Sequence, residues 1–513
     1  MPKPLIPLTV QSPGFLGLNT QQSGSVLPVG WATTLDNFVY DDVGRVASRS
    51  GTRRRNATVI PSTPVVYAAH EFIDASGNRV NILAADDKIF KEVSGTITDV
   101  TDAGMSAPAA DKWQFVNFNG WCVGFQAGHV PCISTSATTP NFVDFSGSNG
   151  TNFFKGSMGC SAYGRLWTVL DNTLHYSDLL IANFAGGSSG NFDLAKFWPN
   201  GMDEAVAIAD FNGLLIVFGK KSIIVYENAD EVANMAIVEG IDGIGCIARD
   251  SVQTIGKDIA FLSDSGVRSL GRSLGDEVMP LTDLSAHVRD ALIRVALLET
   301  PVDIKSVYNP EEGFYLLSFP TAGISYCFDL KFPNDGGTWK ATRWDIAPTA
   351  LMYDEGHIMY MSVSAGYIST YTNYLDESAS DDSGGTAYRL NFEGVWNDFG
   401  EDYAPFLKIV KNVSMLAAGT PAGAVAFKWA FDYDETFRSV VLDFSGAAPP
   451  VYGGSATWGG AFSYTSGGSF QRIRSPLSST GQVMKMGMTT TISGYAFALQ
   501  RLDVLAKIGK LGL

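Results

Sequence analysis

In its alternation of apolar and polar positions, the chain is a series of short strands separated by tight turns. Three segments display the unit clearly, Val252 to Leu270, Lys305 to Cys327 and Ala350 to Tyr371. In each, a first turn carries a glycine (Gly256, Gly313, Gly356) and a second turn carries another ten residues later (Gly266, Gly323, Gly366). Glycine suits these places because tight hairpin turns put a residue at positive φ, where a Cβ clashes. Between the turns lie β-branched and aromatic runs of strand length, such as Ile259 to Leu262, Phe314 to Leu317 and Ile358 to Met361. Looser copies turn at Gly77, Gly120, Gly164 and Gly213, so the first-turn glycines follow one another at intervals of 43, 44, 49, 43, 57 and 43 residues. A period in the forties is what four-stranded propeller blades require. The pattern predicts an all-β fold, a β-propeller of roughly six to eight blades. An antiparallel sandwich with evenly spaced hairpins is the competing architecture, and it rarely keeps so regular a period.

The long interval has its own cause. Leu284, Val288, Ala291, Leu292, Val295 and Leu298 fall on one face of a helix inserted near 283–298, with Thr282, Asp283 and Ser285 as candidate N-caps. Such a helix covers a sheet edge or makes a subunit contact. Past Asn373 a polar, turn-rich stretch, Asp376 to Gly385, marks a boundary. Longer alternating runs follow, at Phe406 to Val413, Ala424 to Phe431 and Leu499 to Ile508. The predicted organisation is an N-terminal arm with few strands over 1–60, packing with the C-terminal domain or a partner. A propeller over 61–375 follows, then a C-terminal β domain over 376–513 with a long loop near 446–469.

Composition narrows the classes. Apolar residues make up 45% of the 513 and charged ones only 17%, which excludes a disordered chain. The net charge of −16 repels nucleic acid phosphates unless basic residues are concentrated locally. The N-terminus is broken by prolines and lacks the apolar run of a signal peptide, and no stretch approaches the length of a membrane span. The cysteines (Cys122, Cys132, Cys160, Cys246, Cys327) are odd in number, spread out and never paired as CxxC. They read as reduced, packed thiols of a protein made in a cytoplasm.

Motifs for chemistry fail one by one, so no catalytic, cofactor or metal residue is assigned. Gly219-Lys-Lys-Ser would be a phosphate-binding loop only with glycine where Leu214 stands and Ser or Thr where Lys221 stands. The histidines (His70, His129, His175, His287, His357) are far apart and form no metal-binding pair. Asn334-Asp-Gly-Gly-Thr-Trp is similar to the Asp-box of sialidase-type propellers but occurs once and is short by one residue, so it reads as a turn. Asp432 and Asp434 read as solvated residues alternating on a strand. The basic cluster Arg45, Arg49, Arg53, Arg54 and Arg55 lacks interleaved aromatics, which favours an acidic protein surface over nucleic acid as its partner. Arg53, Arg54 and Arg55 are its candidate contact residues.

Several segments resemble tail tubular protein B, the nozzle or DNA-stabilisation family of short-tailed bacteriophages. They are Gly17-Leu-Asn-Thr, Leu27-Pro-Val-Gly-Trp-Ala-Thr-Thr-Leu-Asp-Asn-Phe, Gly44-Arg-Val-Ala-Ser-Arg-Ser-Gly and Gly243-Ile-Gly-Cys-Ile-Ala-Arg-Asp-Ser-Val. Tyr176-Ser-Asp-Leu followed by Asn183-Phe is similar to that family's turn between blades, and the likeness covers about 14–370, with a weaker echo in the closing Leu502 to Leu513. The resemblance implies a non-enzymatic virion protein, a homo-oligomer forming a hexameric ring below a tail adaptor protein on the portal. Duplex DNA would pass without sequence-specific binding, and tail fibres or spikes would be further partners. The competing reading is a glycan-binding or sialidase-like tail propeller, which would need repeated Asp-boxes or a convergent Arg/Glu/Tyr pocket.

Overall fold

The computed structural model describes residues 5–105, 112–145, 153–199, 201–256, 258–271, 283–377, 385–400, 402–419, 424–444 and 470–511. The fold is all-β, with one α-helix, Arg289–Ala296, among the described residues. Antiparallel strand sets built from neighbouring segments follow in chain order over 66–99, 114–144, 159–193, 205–242, 253–269, 305–344 and 350–371. Each of the seven begins with a hairpin whose turn holds one of the first-turn glycines. Gly77, Gly120, Gly164, Gly213, Gly256 and Gly313 have φ between +59° and +84°. The seventh turn departs from the pattern. There His357 takes the left-handed position at φ +63°, next to Gly356.

Hydrophobic clusters lie between consecutive sets, except that Leu262 and Val267 of the fifth meet Tyr315 and Leu317 of the sixth within a larger core shared with the N- and C-terminal strands. Trp113 and Phe115 of the second pack with Phe72 and Ile82 of the first. Phe125 joins Leu166, Trp167 joins Leu215, and Phe218 meets Phe261 with ring centroids 5.1 Å apart. Phe314 and Leu316 of the sixth pack with Met359 and Met361 of the seventh. The seventh in turn shares a cluster with the first, through Met352, Tyr360, Val66 and Leu83. Its first strand, Ala350–Tyr353, lies beside Val66–Ile73.

The fifth set has three strands. The peptide ahead of the helix completes its edge, where Leu284 N donates to Val267 O at 3.0 Å and Ser285 Oγ accepts from Val267 N at 3.0 Å. The helix is shorter than expected. Residues 284–288 form turns, Leu284, Val288 and Leu292 are buried, and Leu297 and Leu298 are exposed. Thr282 lies outside the described residues.

The N-terminal arm differs most from expectation. Instead of few strands it supplies Ile6–Gln11, Gly17–Leu18, Trp31–Asp36, Phe38–Tyr40, Val46–Ser48 and Thr52–Arg54. Ile6–Gln11 and Val46–Ser48 pair with Phe497–Leu511, and Trp31–Asp36 pairs with Tyr388–Asn397. These pairings, with 406–443 and 471–492, make two sheets around one large core that includes Leu35, Phe38, Phe392, Met415, Met488 and Val504. One of the two continues into the sixth set through the parallel pairing of Arg343 with Asp36. Thr52–Arg54 goes elsewhere and pairs with Ser369–Tyr371 as the fourth strand of the seventh set. The loop near 446–469 lies outside the described residues.

Candidate functional site

The arginines suggested as a contact patch are dispersed by the fold. Arg45 is paired with Asp41 at 2.6 Å. Arg49 is wholly buried and forks onto Asp376 at 2.8 and 2.6 Å. Burial alone would lower its pKa, but the Asp376 carboxylate holds it above the ordinary arginine value. Arg54 lies over the ring of Tyr367, 3.7 Å from its centroid, and Arg55 Nε donates to the buried Glu92 at 3.1 Å. Arg53 alone is exposed with no side-chain partner among the described residues. The three residues therefore belong with the repeat and not with an arm of few strands. Arg53 and Arg54 lie on the strand that completes the seventh sheet, and Arg55, just after it, ties that strand to the first sheet.

Other sequence motifs take structural roles. Gly219-Lys-Lys-Ser turns between Leu214–Gly219 and Ser222–Glu227. The Asp-box-like segment is a 3-10 turn with Gly336 and Gly337 at φ +77° and +75°. Asp432 and Asp434 are not on a strand. They follow Ala424–Phe431 in a turn, where Asp432 Oδ1 accepts from Gln482 N and Val483 N at 2.7 and 3.0 Å. The Tyr176-Ser-Asp-Leu turn joins the third and fourth strands of one sheet, not two blades. Its Asp178 carboxylate gathers Ser188 N, Ser188 Oγ and Asn183 Nδ2. All five cysteines are buried and unpaired, and burial pushes the thiols of Cys122, Cys132, Cys160, Cys246 and Cys327 above their ordinary pKa. No cluster of His, Cys, Asp or Glu suited to a metal ion occurs among the described residues, and no helix there is long and apolar enough to cross a membrane.

The site that sequence reading missed is a polar cavity of about 170 Å³ where the first strands converge. Tyr67 and His70 line it from Val66–Ile73, Gln114 from Gln114–Phe118, Gln253 from Gln253–Ile255, Lys305 from Lys305–Asn309 and Leu351 from Ala350–Tyr353. Its charged wall is the short 3-10 turn Arg249–Ser251 facing Lys305. Arg249 donates to both oxygens of Asp250, at 2.8 and 3.0 Å, and to Ser157 O at 2.6 Å, while Lys305 Nζ donates to Asp250 Oδ2. Burial alone would raise the Asp250 pKa, but Arg249 and Lys305 hold it well below the usual carboxylate range. For Lys305 burial prevails over the attraction of Asp250, and its pKa is lowered. Burial also lowers His70 to about 4, so its imidazole is neutral at pH 7. Among the described residues lining the cavity, no nucleophile–base pair accompanies these groups. Each residue is isolated in sequence, and the only written signal is a charge at the start of a repeat unit, as in Lys305-Ser-Val.

A second buried cluster titrates near neutrality. Burial raises Glu312 from 4.5 to about 7 despite Lys331 and the Tyr371 hydroxyl, and raises Asp329 to about 6. Lys340, packed 3.3 Å from the Phe15 ring centroid, is lowered by burial to about 8. Glu312 binds its proton more tightly folded than unfolded, so its stabilising contribution is complete below about 4.5 and is lost as pH rises through about 7. Glu312→Gln is expected to gain stability relative to the parent, by on the order of 1–3 kcal/mol, between about pH 5 and about pH 8. Paired denaturant titrations measure this, and a pH-independent difference contradicts it.

No protein-family model matches the chain, and no curated protein matches it in sequence. Among solved structures, U3-55K superposes with a TM-score of 0.38 at 10% identity, over 63% of this chain and 98% of that one. PorZ, described as an essential bacterial surface component of the type-IX secretion system of Porphyromonas gingivalis, gives 0.35 at 12% identity. There the match covers 69% of this chain and 43% of PorZ, less than half its length. Likenesses this weak say nothing of function.

Proposed function

We propose that the chain is a structural subunit of a short-tailed phage tail, a nozzle in which the seven strand sets are blades of one closed propeller. The observation that carries the propeller is the circular order of the shared cores from the first set through the seventh and back to the first, in which the fifth and sixth sets meet within the large core they share with the second domain. Thr52–Arg54 then serves as the outer strand of the last blade and fastens the ring. Residues 61–375 together with Thr52–Arg54 form the propeller, and the rest of the arm with 376–513 forms the second β domain. The nozzle assignment rests on the sequence resemblance, whose segments fall where the architecture is most demanding. Gly44 to Gly51 leads into the closing strand, and Gly243 to Val252 joins the fourth and fifth blades and brings Arg249 to the centre.

In this reading, six copies form a ring beneath an adaptor in the virion tail. They carry six times −16, or −96, and acidic walls bind duplex phosphates weakly, so DNA slides through. The protein has no hydrolase activity. Incubation with host glycans or peptidoglycan is expected to release nothing, and turnover abolished by substituting one acidic residue overturns that part.

Arg53 is the contact residue to test, because Arg54 and Arg55 already have structural work and changing all three confounds assembly with folding. Arg53→Glu is expected to block ring assembly and to change monomer stability by no more than about 0.5 kcal/mol. Sedimentation and denaturant titration read the two effects separately. Normal assembly with failed DNA passage places Arg53 in the channel instead.

A further inference from the structure

The polar cavity at the centre of the first strands is long by one positive charge and short of acceptors, and we propose that it binds a small oxyanion. Its charged lining is Arg249 and Lys305 against the single carboxylate of Asp250. The neighbouring Lys112 and Asp303, 3.5 Å apart, offset each other, and neutral His70 adds no charge, while its buried Nε2 has no partner among the described residues and donates or accepts according to tautomer. Asp250 is a single negative charge shared by two cations, both of its oxygens accepting from Arg249 and one also from Lys305. Arg249 gives a third of its five N–H donors to Ser157 O.

Lys305 is different. Its ammonium carries three protons and meets one acceptor, Asp250, so donors remain for a ligand. Trp113 also lines the cavity, and its buried indole N–H has no acceptor among the described residues. An indole nitrogen can only donate. The Gln114 oxygen accepts from Gly159 N at 3.0 Å, which leaves its NH2 group to serve as another donor.

These features select the ligand class. A buried cation without a full complement of acceptors is costly, and a charge-assisted hydrogen bond to an anion removes that cost. A neutral ligand leaves the charge uncompensated, and a metal cation faces two cations. At about 170 Å³ the space suits inorganic phosphate or a short carboxylate and is too small for a nucleotide. This inference is independent of the nozzle reading, because it depends only on the lining of the cavity.

Calorimetric titration of the whole chain with inorganic phosphate, and then with acetate, tests it. Saturable one-site binding is expected, weakened about tenfold or more in Lys305→Met, where Asp250 keeps its Arg249 partner. Lys196→Met, an exposed lysine paired with Asp193 and not in the cavity lining, is expected to bind as the parent does. Crystals grown in bromide give an independent readout, with anomalous density expected within contact distance of Lys305 Nζ. Absent saturable heat, equal affinity in Lys305→Met, or bromide only on the surface overturns the proposal. If Lys305→Met does not fold, the bromide position in the parent protein decides alone.

Discussion

Arg49→Met is expected to destabilise the protein by about 3–5 kcal/mol, because it leaves a carboxylate and several polar groups without their partner. Arg49 is wholly buried at the point where the arm, the end of the last sheet and the C-terminal sheets meet. Its guanidinium forks onto Asp376, and its Nε and Nη1 donate to Asn37 Oδ1 and Ser50 O, each at 3.0 Å. It also lies 4.2 Å from the Tyr388 ring centroid and 5.7 Å from that of Trp344. Arg49→Lys is expected to recover little of the loss, since an ammonium supplies neither the planar fork nor the stacking face. Denaturant titration of both variants measures the cost. A change below about 1 kcal/mol contradicts a role for this residue as the junction.

Gly51→Val is expected to cost about 3 kcal/mol or more and to act locally. Gly51 stands immediately before Thr52–Arg54, and a Cβ there would lie 2.1 Å from Leu375 O and 2.5 Å from Leu375 N. Both are backbone atoms. The segment cannot accommodate the side chain without moving away, which breaks the bonds from Thr52 N to Leu375 O and from Arg55 N to Ile368 O. Hydrogen exchange is the informative readout. Amides of 350–371 and 66–99 are expected to lose protection first, while those of 159–193, on other sheets, keep theirs. Uniform loss across all the sheets contradicts the fastening role.

These two residues also mark how far the sequence could be read. The hairpin units were legible because a left-handed turn position strongly selects glycine, and Gly77 through Gly313 occupy such positions. The seventh unit was recognised although His357 carries the positive φ, since the flanking strands kept their pattern. Thr52–Arg54 was not legible. Three residues reading Thr-Arg-Arg have no apolar alternation, and their partners lie more than 300 positions away in Ser369–Tyr371. Ile6–Gln11 does alternate, with Ile6, Leu8 and Val10 against Pro7, Thr9 and Gln11, but its partner is 501–506 at the far end of the chain. The cavity is the extreme case. Arg249 stands in the turn before the fifth strand set, Lys305 on the first strand of the sixth and Trp113 just ahead of the second, and nothing local to any of them signals the others.

The central claim, that seven blades close into one subunit and that subunits form a channelled ring, is tested most directly by single-particle imaging of the purified full-length chain. The expected result is a ring of copies around an axial opening, each copy a seven-bladed disc with the density of 52–54 on the outer edge of the blade formed by 350–371. Solitary monomers with no axial opening contradict the ring. A gap between the blades of 350–371 and 66–99 contradicts the closure.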